Sequence, residues 1–173
     1  WDINTKEKFA RDMCRLMVVC NIAWWNVEMP FWRYFFATYV PQAQVPGREE
    51  ISGRILDDEA RSVIESIAAR ARGRFATGVC DGWKNIVKSA IVAAMINCEY
   101  TPFLMNTYDI SAIHKTAESL LDIVLAEIEY AVKVLGVILV AWCTDASGES
   151  AKMRRLLVIR LPWIIVVDCW AHQ

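Results

Sequence analysis

The sequence predicts an α/β domain, a mixed sheet preceded by an N-terminal helical region. Three observations carry that reading. Between Val137 and Cys143 the chain is an unbroken apolar run that ends on Thr144 and Asp145, then passes through Ala-Ser-Gly into a helical pattern. Apolar residues at odd and even positions alike are expected of a central strand covered on both faces. From Phe75 onward the hydrophobic pattern changes from helical to extended, in short runs with short connections. Helical stretches then separate the later strands, as crossovers between parallel neighbours require.

The elements follow in order. Thr5 is read as the cap of a first helix, Lys6 to about Asn21, with Phe9, Met13, Leu16, Met17 and Cys20 at helical spacing. Residues 22–40, IAWWNVEMPFWRYFFATYV, are dense in aromatics and broken at Pro30. They read as two short helices packed in a helical core; the rival reading is a face reserved for another domain or subunit. Pro41 to Gly47 is a loop. Glu50 to Arg72 reads as a helix with Ile55, Leu56, Val63, Ile64, Ile67 and Ala71 along one side. Its end brings Arg70, Arg72 and Arg74 close together, either as a solvated terminus that complements the helix dipole or as phosphate contacts.

Strands are expected at Phe75 to Cys80, Ser89 to Ile96 and Thr101 to Ile110, with a break at Asp81-Gly82. Short connections make these an antiparallel meander. Ala112 to Leu135 reads as an amphipathic helix, with Leu120, Leu121, Val124, Ile128, Ala131 and Leu135 inward and Glu118, Asp122, Glu127 and Lys133 outward. The apolar strand follows, then a helix through roughly Glu149–Ile159 and a fifth strand from Trp163 to Val167. The order β-β-β-α-β-α-β is the layout of a ribonuclease-H-like sheet. The division expected is a helical region at 1–72 and a ribonuclease-H-like core at 73–173, incomplete at its C-terminus.

Bulk properties bound the function. A chain of 173 residues is long enough for a substantial core. With 55% hydrophobic residues and eight tryptophans, some of its surface is expected to be covered by segments outside it. It lacks a starting Met and stops on a short motif, so it reads as a fragment. No apolar stretch reaches the roughly 20 residues needed to span a bilayer, and the first residues lack a secretion signal; no membrane partner is expected. A net charge of −1 offers no overall basic field, which counts against nucleic-acid binding by this piece alone. The six cysteines form no Cys-x-x-Cys pair and read as small core residues in a reducing compartment.

Chemistry centres on Asp81 and Asp145. In the expected layout the first and fourth strands are neighbours at the sheet centre, with these two acids near their ends. Two carboxylates that close repel unless a cation sits between them. Magnesium suits such a pair, since it takes one or two carboxylates and leaves positions for water and phosphate oxygens. A third carboxylate would allow two ions about 4 Å apart. Each acid also has a plainer role: Asp81-Gly82 as a hairpin turn, Asp145 as a cap on the next helix. Cys169 and His172, as Cys-Trp-Ala-His, are half of a zinc pattern whose other half is missing, or they hold the sheet edge. Ala146 to Ser150 could cradle a phosphate at a helix start, though it has one glycine and no lysine.

Four segments together carry a family resemblance: CDGWKN (80–85), FLMNTYDISAIHKTAESLLDIV (103–124), CTDASGES (143–150) and CWAH (169–172). In order and approximate spacing they resemble hAT-type DNA transposases, and look most like the group whose N-terminal catalytic half is known only as a domain of unknown function. The match covers about residues 45–173. The resemblance implies a ribonuclease-H-like fold with an Asp-Asp-Glu triad. It makes Asp81 the first catalytic and metal-binding aspartate and Asp145 the second, with Mg²⁺ or Mn²⁺ as cofactor. Cys169 and His172 become the motif that supports the site and the transposon-end DNA. It also implies a nuclear protein whose partners are DNA and, in some settings, further copies of itself. The family's catalytic Glu lies downstream of a helical insertion and its zinc finger precedes the core; neither is found in this sequence. This piece is therefore expected to be inactive alone, and the rival expectation is a domesticated, non-catalytic, DNA-associated regulatory protein.

Overall fold

Helix α1 (Ile3–Val19) starts at Asp2, whose carboxylate accepts the Thr5 amide at 2.7 Å. Asp2 rather than Thr5 is therefore the cap: a short acid reaches the exposed amides of a first turn, and Thr5 already lies inside that turn. The computed structural model describes residues 1–172, and its contacts divide it into two units, Trp1–Ile64 and a second from Glu65 onward.

In the first unit α1 buries Met13, Cys14 and Met17 against Val27, Ile51 and Ile55. The aromatic segment forms a 3₁₀ turn (Trp24–Glu28) and one α-helix, α2 (Pro30–Tyr39), instead of two helices. Pro30 opens α2, where its missing N–H costs nothing. No residue of α2 is buried; Trp32 is partly buried against the α1 cluster, while Phe31 is 75% exposed. The long helix expected from Glu50 is interrupted: α3 (Arg48–Glu50) enters a π turn (Ile51–Ile55) kinked at Gly53, and α4 (Leu56–Ala71) follows. The division between the units falls within α4.

The second unit is a mixed α/β fold. Its strands are β1 (Phe75–Lys84), β2 (Ala90–Cys98), β3 (Thr101–Asp109), β4 (Ile138–Thr144) and β5 (Ile165–Asp168), in the spatial order β3-β2-β1-β4-β5. The first three strands pair antiparallel, and β4 pairs parallel with both β1 and β5. Helices α5 (Ala117–Tyr130) and α6 (Gly148–Arg160) link β3 to β4 and β4 to β5. The element order β-β-β-α-β-α-β is the one the sequence predicts.

Several local expectations need correction. Asp81-Gly82 is no break: β1 runs through it, with Asp81 opposite Ala93 and Gly82 opposite Val92. The turn comes later, where Asn85 donates to the Ser89 carbonyl at 3.0 Å and accepts the Ser89 amide on Oδ1 at 2.8 Å. The ladder keeps backbone groups paired past the glycine, and Asn85 supplies the side-chain bond that closes the turn. Helix α5 starts at Ala117, five residues later than expected, because Thr116 caps it by accepting the Ser119 amide at 3.1 Å. It ends in a π turn (Ala131–Leu135) closed by Gly136 at φ +72°, a left-handed cap that glycine adopts without strain.

Burial also departs from expectation in two places. Strand β4 is not covered on both faces: Leu139 and Trp142 are buried, but Ile138 is 47% exposed. Its register with β1 steps from Ala76↔Leu139 to Thr77↔Ala141, so Val140 is a bulge residue that re-aims the side chains after it. Glu127, expected outward, is 1% exposed. It sits beside Ile128 and Val124 on the packed face of α5, and is accommodated because Asn106 Nδ2 (2.7 Å) and the Tyr108 hydroxyl donate to its Oε1. Among the described residues, no helix is long and apolar enough to cross a membrane.

Candidate functional site

Parallel pairing of β1 and β4 extends to Val79↔Cys143. Asp81 lies two residues beyond Val79 and Asp145 two beyond Cys143, so the acids stand at the same level past the last β1–β4 pair, Asp81 within β1 and Asp145 just after β4. Both aspartates line one pocket of about 570 Å³, its open mouth included. Cys80, Gly82 and Val92 line it from the sheet, and Ser147, Glu149 and Ser150 from the start of α6. Residues of the β3–α5 connection and of α5, among them Ile110, Lys115 and Ile123, line it too.

Asp145 is held on several sides. Its Oδ1 accepts the Ser147 hydroxyl at 2.9 Å and the Ser147 amide at 3.4 Å. Ser147 in turn caps α6 by accepting the Ser150 amide. The capping role expected of Asp145 therefore belongs to Ser147, and the aspartate is oriented by the cap. Arg154, 8% exposed, reaches back from α6 and donates from Nη1 to the Asp145 carbonyl oxygen and to Thr144 Oγ1, each at 2.6 Å. Its Nη2 lies 3.4 Å from Asp168 Oδ2 at the end of β5. One buried guanidinium thus ties β4, β5 and α6 together beneath Asp145. Asp81 is exposed, and its Oδ1 accepts the Gly82 amide at 2.9 Å.

Cys80 precedes Asp81 on β1. Burial pushes its thiol up to about 11, the Trp142 indole works against that shift, and the charges of Asp145 and Asp81 add to it. A neutral, inert thiol is the outcome, so Cys80 fills space at the site rather than acting as a nucleophile or soft ligand.

Arg154 escaped the sequence reading, although a signal existed. Ser150, Met153, Arg154 and Leu157 form the buried i, i+3, i+4, i+7 stripe of α6, with an arginine where an apolar residue is expected. His114 and Lys115 lie in the loop before α5, where the sequence predicts the start of that helix, and line the pocket.

Other sequence candidates are distributed differently. Cys169 lies at the site's edge: its amide donates to the Thr144 carbonyl at 2.7 Å, and burial followed by the neighbouring Cys169 pushes the Cys143 thiol up. The side chain of His172 lies outside the described residues. Arg70, Arg72 and Arg74 stand at the amino end of β1, the opposite end from the aspartates. Arg70 stacks over the Phe103 ring at 4.9 Å, and Arg74 Nη1 pairs with Glu99 Oε2 at 2.8 Å. They are not brought to the acid pair.

Asp81 and Asp145 are the residues here that could hold a hard divalent ion. Two carboxylates on adjacent strands, opening onto a pocket with room for water, are what magnesium or manganese takes. No group of three His, Cys, Asp or Glu side chains that could hold a metal occurs among the described residues. No protein-family model matches this chain, and no curated protein matches it.

Proposed function

We propose that this chain is the N-terminal part of a hAT-like transposase catalytic domain with a ribonuclease-H-like fold. The parent protein would take part in DNA transposition by metal-dependent cleavage and strand transfer. The observation that carries the reading is the level placement of Asp81 and Asp145 on adjacent central strands, opening onto one pocket. The strand order 3-2-1-4-5, with its antiparallel meander and two parallel additions, supports the fold assignment.

In this reading Asp81 and Asp145 hold Mg²⁺ or Mn²⁺, which when bound supplies charge neutralisation at a phosphodiester and activation of the attacking oxygen. Arg154 and Ser147 are positioning residues: the first pins the Asp145 backbone, the second turns its carboxylate. The third acidic residue belongs to a downstream segment, so the piece is inactive alone. Calorimetry with Mn²⁺ tests the assignment. Asp81→Asn and Asp145→Asn should each weaken binding at least about ten-fold; unchanged affinity in both variants would sink it.

A second reading is a domesticated, non-catalytic descendant that acts as a DNA-associated interaction or regulatory protein in the nucleus. The unburied aromatic helix α2, with Phe31, Tyr34, Phe35 and Tyr39 exposed, favours a protein-contact role. Strand-transfer activity in the full-length parent separates the two, since only the first reading allows it.

A further inference from the structure

Helix α2 carries two stripes. Trp32 and Phe36, four residues apart, turn toward α1: Trp32 packs on the α1 cluster, and the Phe36 ring lies 5.9 Å from Phe9 and 5.8 Å from Trp32. Phe31, Tyr34, Phe35 and Tyr39 follow the i, i+3, i+4, i+8 spacing of one helix face, and each is between 45% and 75% exposed. Their rings already meet along the helix, Phe31 with Tyr34 at 6.0 Å and Phe35 with Tyr39 at 5.1 Å between centroids. Arg33, the one charged residue of α2, falls about 200° round the helix from Phe31 and so off this seam.

We propose that this seam is a self-association surface, and that two copies of the chain pair their α2 helices antiparallel across a two-fold axis beside Phe35. Phe31 of each copy then meets Tyr39 of the other, as an isologous contact requires. The inference names a partner for the protein-contact role of α2 and does not depend on the two aspartates.

Area, charge and order favour a second copy as the occupant. At about 200 Å² for an aromatic side chain, the exposed parts of the four rings come to about 500 Å² per copy. Two copies together cover about 1,000 Å², the least that a specific interface needs. The seam carries no charge, so two copies meet without like-charge repulsion, and an acidic or basic partner finds nothing on it to pair with. A lipid surface is disfavoured by the single arginine of α2, since helices that lie on membranes are rich in basic residues on their polar face. The ring contacts along the seam hold its side chains in place beforehand, which lowers the ordering cost of association.

Sedimentation velocity of the whole chain tests the pairing. The mass should rise with concentration from 19.7 kDa toward twice that value, with a Kd of about 10–100 μM for a seam of this size. Phe31→Lys and Tyr39→Glu should each weaken self-association at least about ten-fold. An equimolar mixture of the two should regain it, because the new cation and anion then face each other at one end of the seam. Arg33→Ala, off the seam, should leave association within about two-fold of the parent. Phe31 and Tyr39 are exposed, so an unchanged melting temperature, taken where the parent is monomeric, serves as the folding control. Tyr34→Ser should give the same loss if either variant fails that control. A parent that stays monomeric up to about 500 μM, or variants that associate as the parent does, overturns the proposal. Loss in both variants without recovery in the mixture overturns the antiparallel pairing. Strand-transfer activity, which separates the two readings above, is untouched by either result.

Discussion

Arg154 donates from one nitrogen to the main-chain oxygen of Asp145 and to the Thr144 hydroxyl, and its other terminal nitrogen faces Asp168. The end of β4 is therefore fixed by a side chain ten residues along the chain from Thr144. Arg154→Met should remove the guanidinium from both the Asp145 carbonyl, which keeps the longer bond from the Thr144 hydroxyl, and the buried Thr144 hydroxyl itself. A loss of about 2–4 kcal/mol in urea unfolding is expected. Arg154→Lys should recover only part of it, because an ammonium lacks the planar fork that spans three partners. Equal stability of Arg154→Met and the parent would show that the network contributes nothing.

Ser147 performs two tasks with one hydroxyl, capping α6 and orienting the Asp145 carboxylate. Ser147→Ala should cost about 1 kcal/mol, the usual worth of a helix cap. Ser147→Gly should cost less in stability, since glycine is tolerated at that position. Both should lower Mn²⁺ affinity alike, because both lose the hydroxyl that holds Oδ1. Affinity that follows stability instead would show that the carboxylate does not depend on Ser147.

Gly78 lies against the buried ring of Trp142, so that a Cβ built there would fall 2.0 Å from Cε3. Gly78→Ala should therefore force the indole or the β1–β4 pairing to shift, at a cost of about 1–3 kcal/mol or more. In a Trp142→Leu background the same change should cost much less, as the ring that it strikes is gone. A double-mutant cycle by thermal unfolding measures the coupling, and additive effects would contradict the contact.

Tyr108 titrates late. Burial first, then its hydrogen bond to Glu127 and the charge of Glu127, push its hydroxyl up to about 12 from an ordinary 10. The folded state thus keeps a proton that the unfolded state releases. The stability so gained is complete below pH 10 and is lost as pH rises from 10 to about 12. Phenolate absorbance should show a last step at about 12 that is absent in Tyr108→Phe and shifted back toward 10 in Glu127→Gln, separate from the rise that burial and then Glu127 give Tyr130. Persistence of the late step in Tyr108→Phe would assign it elsewhere.

Much of this was legible in the chain. The apolar run before Asp145 marks β4, and the change of period at Phe75 marks the start of the sheet, because period reports which side chains share a face. The neighbouring placement of the first and fourth strands followed from element order. Glu127 and Asp81 resisted reading for one reason. Each is polar beside a local signal that pointed elsewhere, the solvent face of a helix and an Asp-Gly turn, and each was decided by partners distant in sequence. For Glu127 those are Asn106 and Tyr108; for Asp81 it is the ladder with β2.

What the sequence by itself determined is therefore the order and type of the elements and the presence of an acid on or just after each of the two central strands. Hydrophobic periodicity and local turn chemistry act within a few residues, and they suffice for that. Only the tertiary structure decided that β1 continues through Asp81, that Arg154 is drawn inward beneath Asp145, and that His114 and Lys115 line the same pocket as the acids. Those outcomes depend on register and on hydrogen bonds between segments tens of residues apart, whose free energies no local pattern contains.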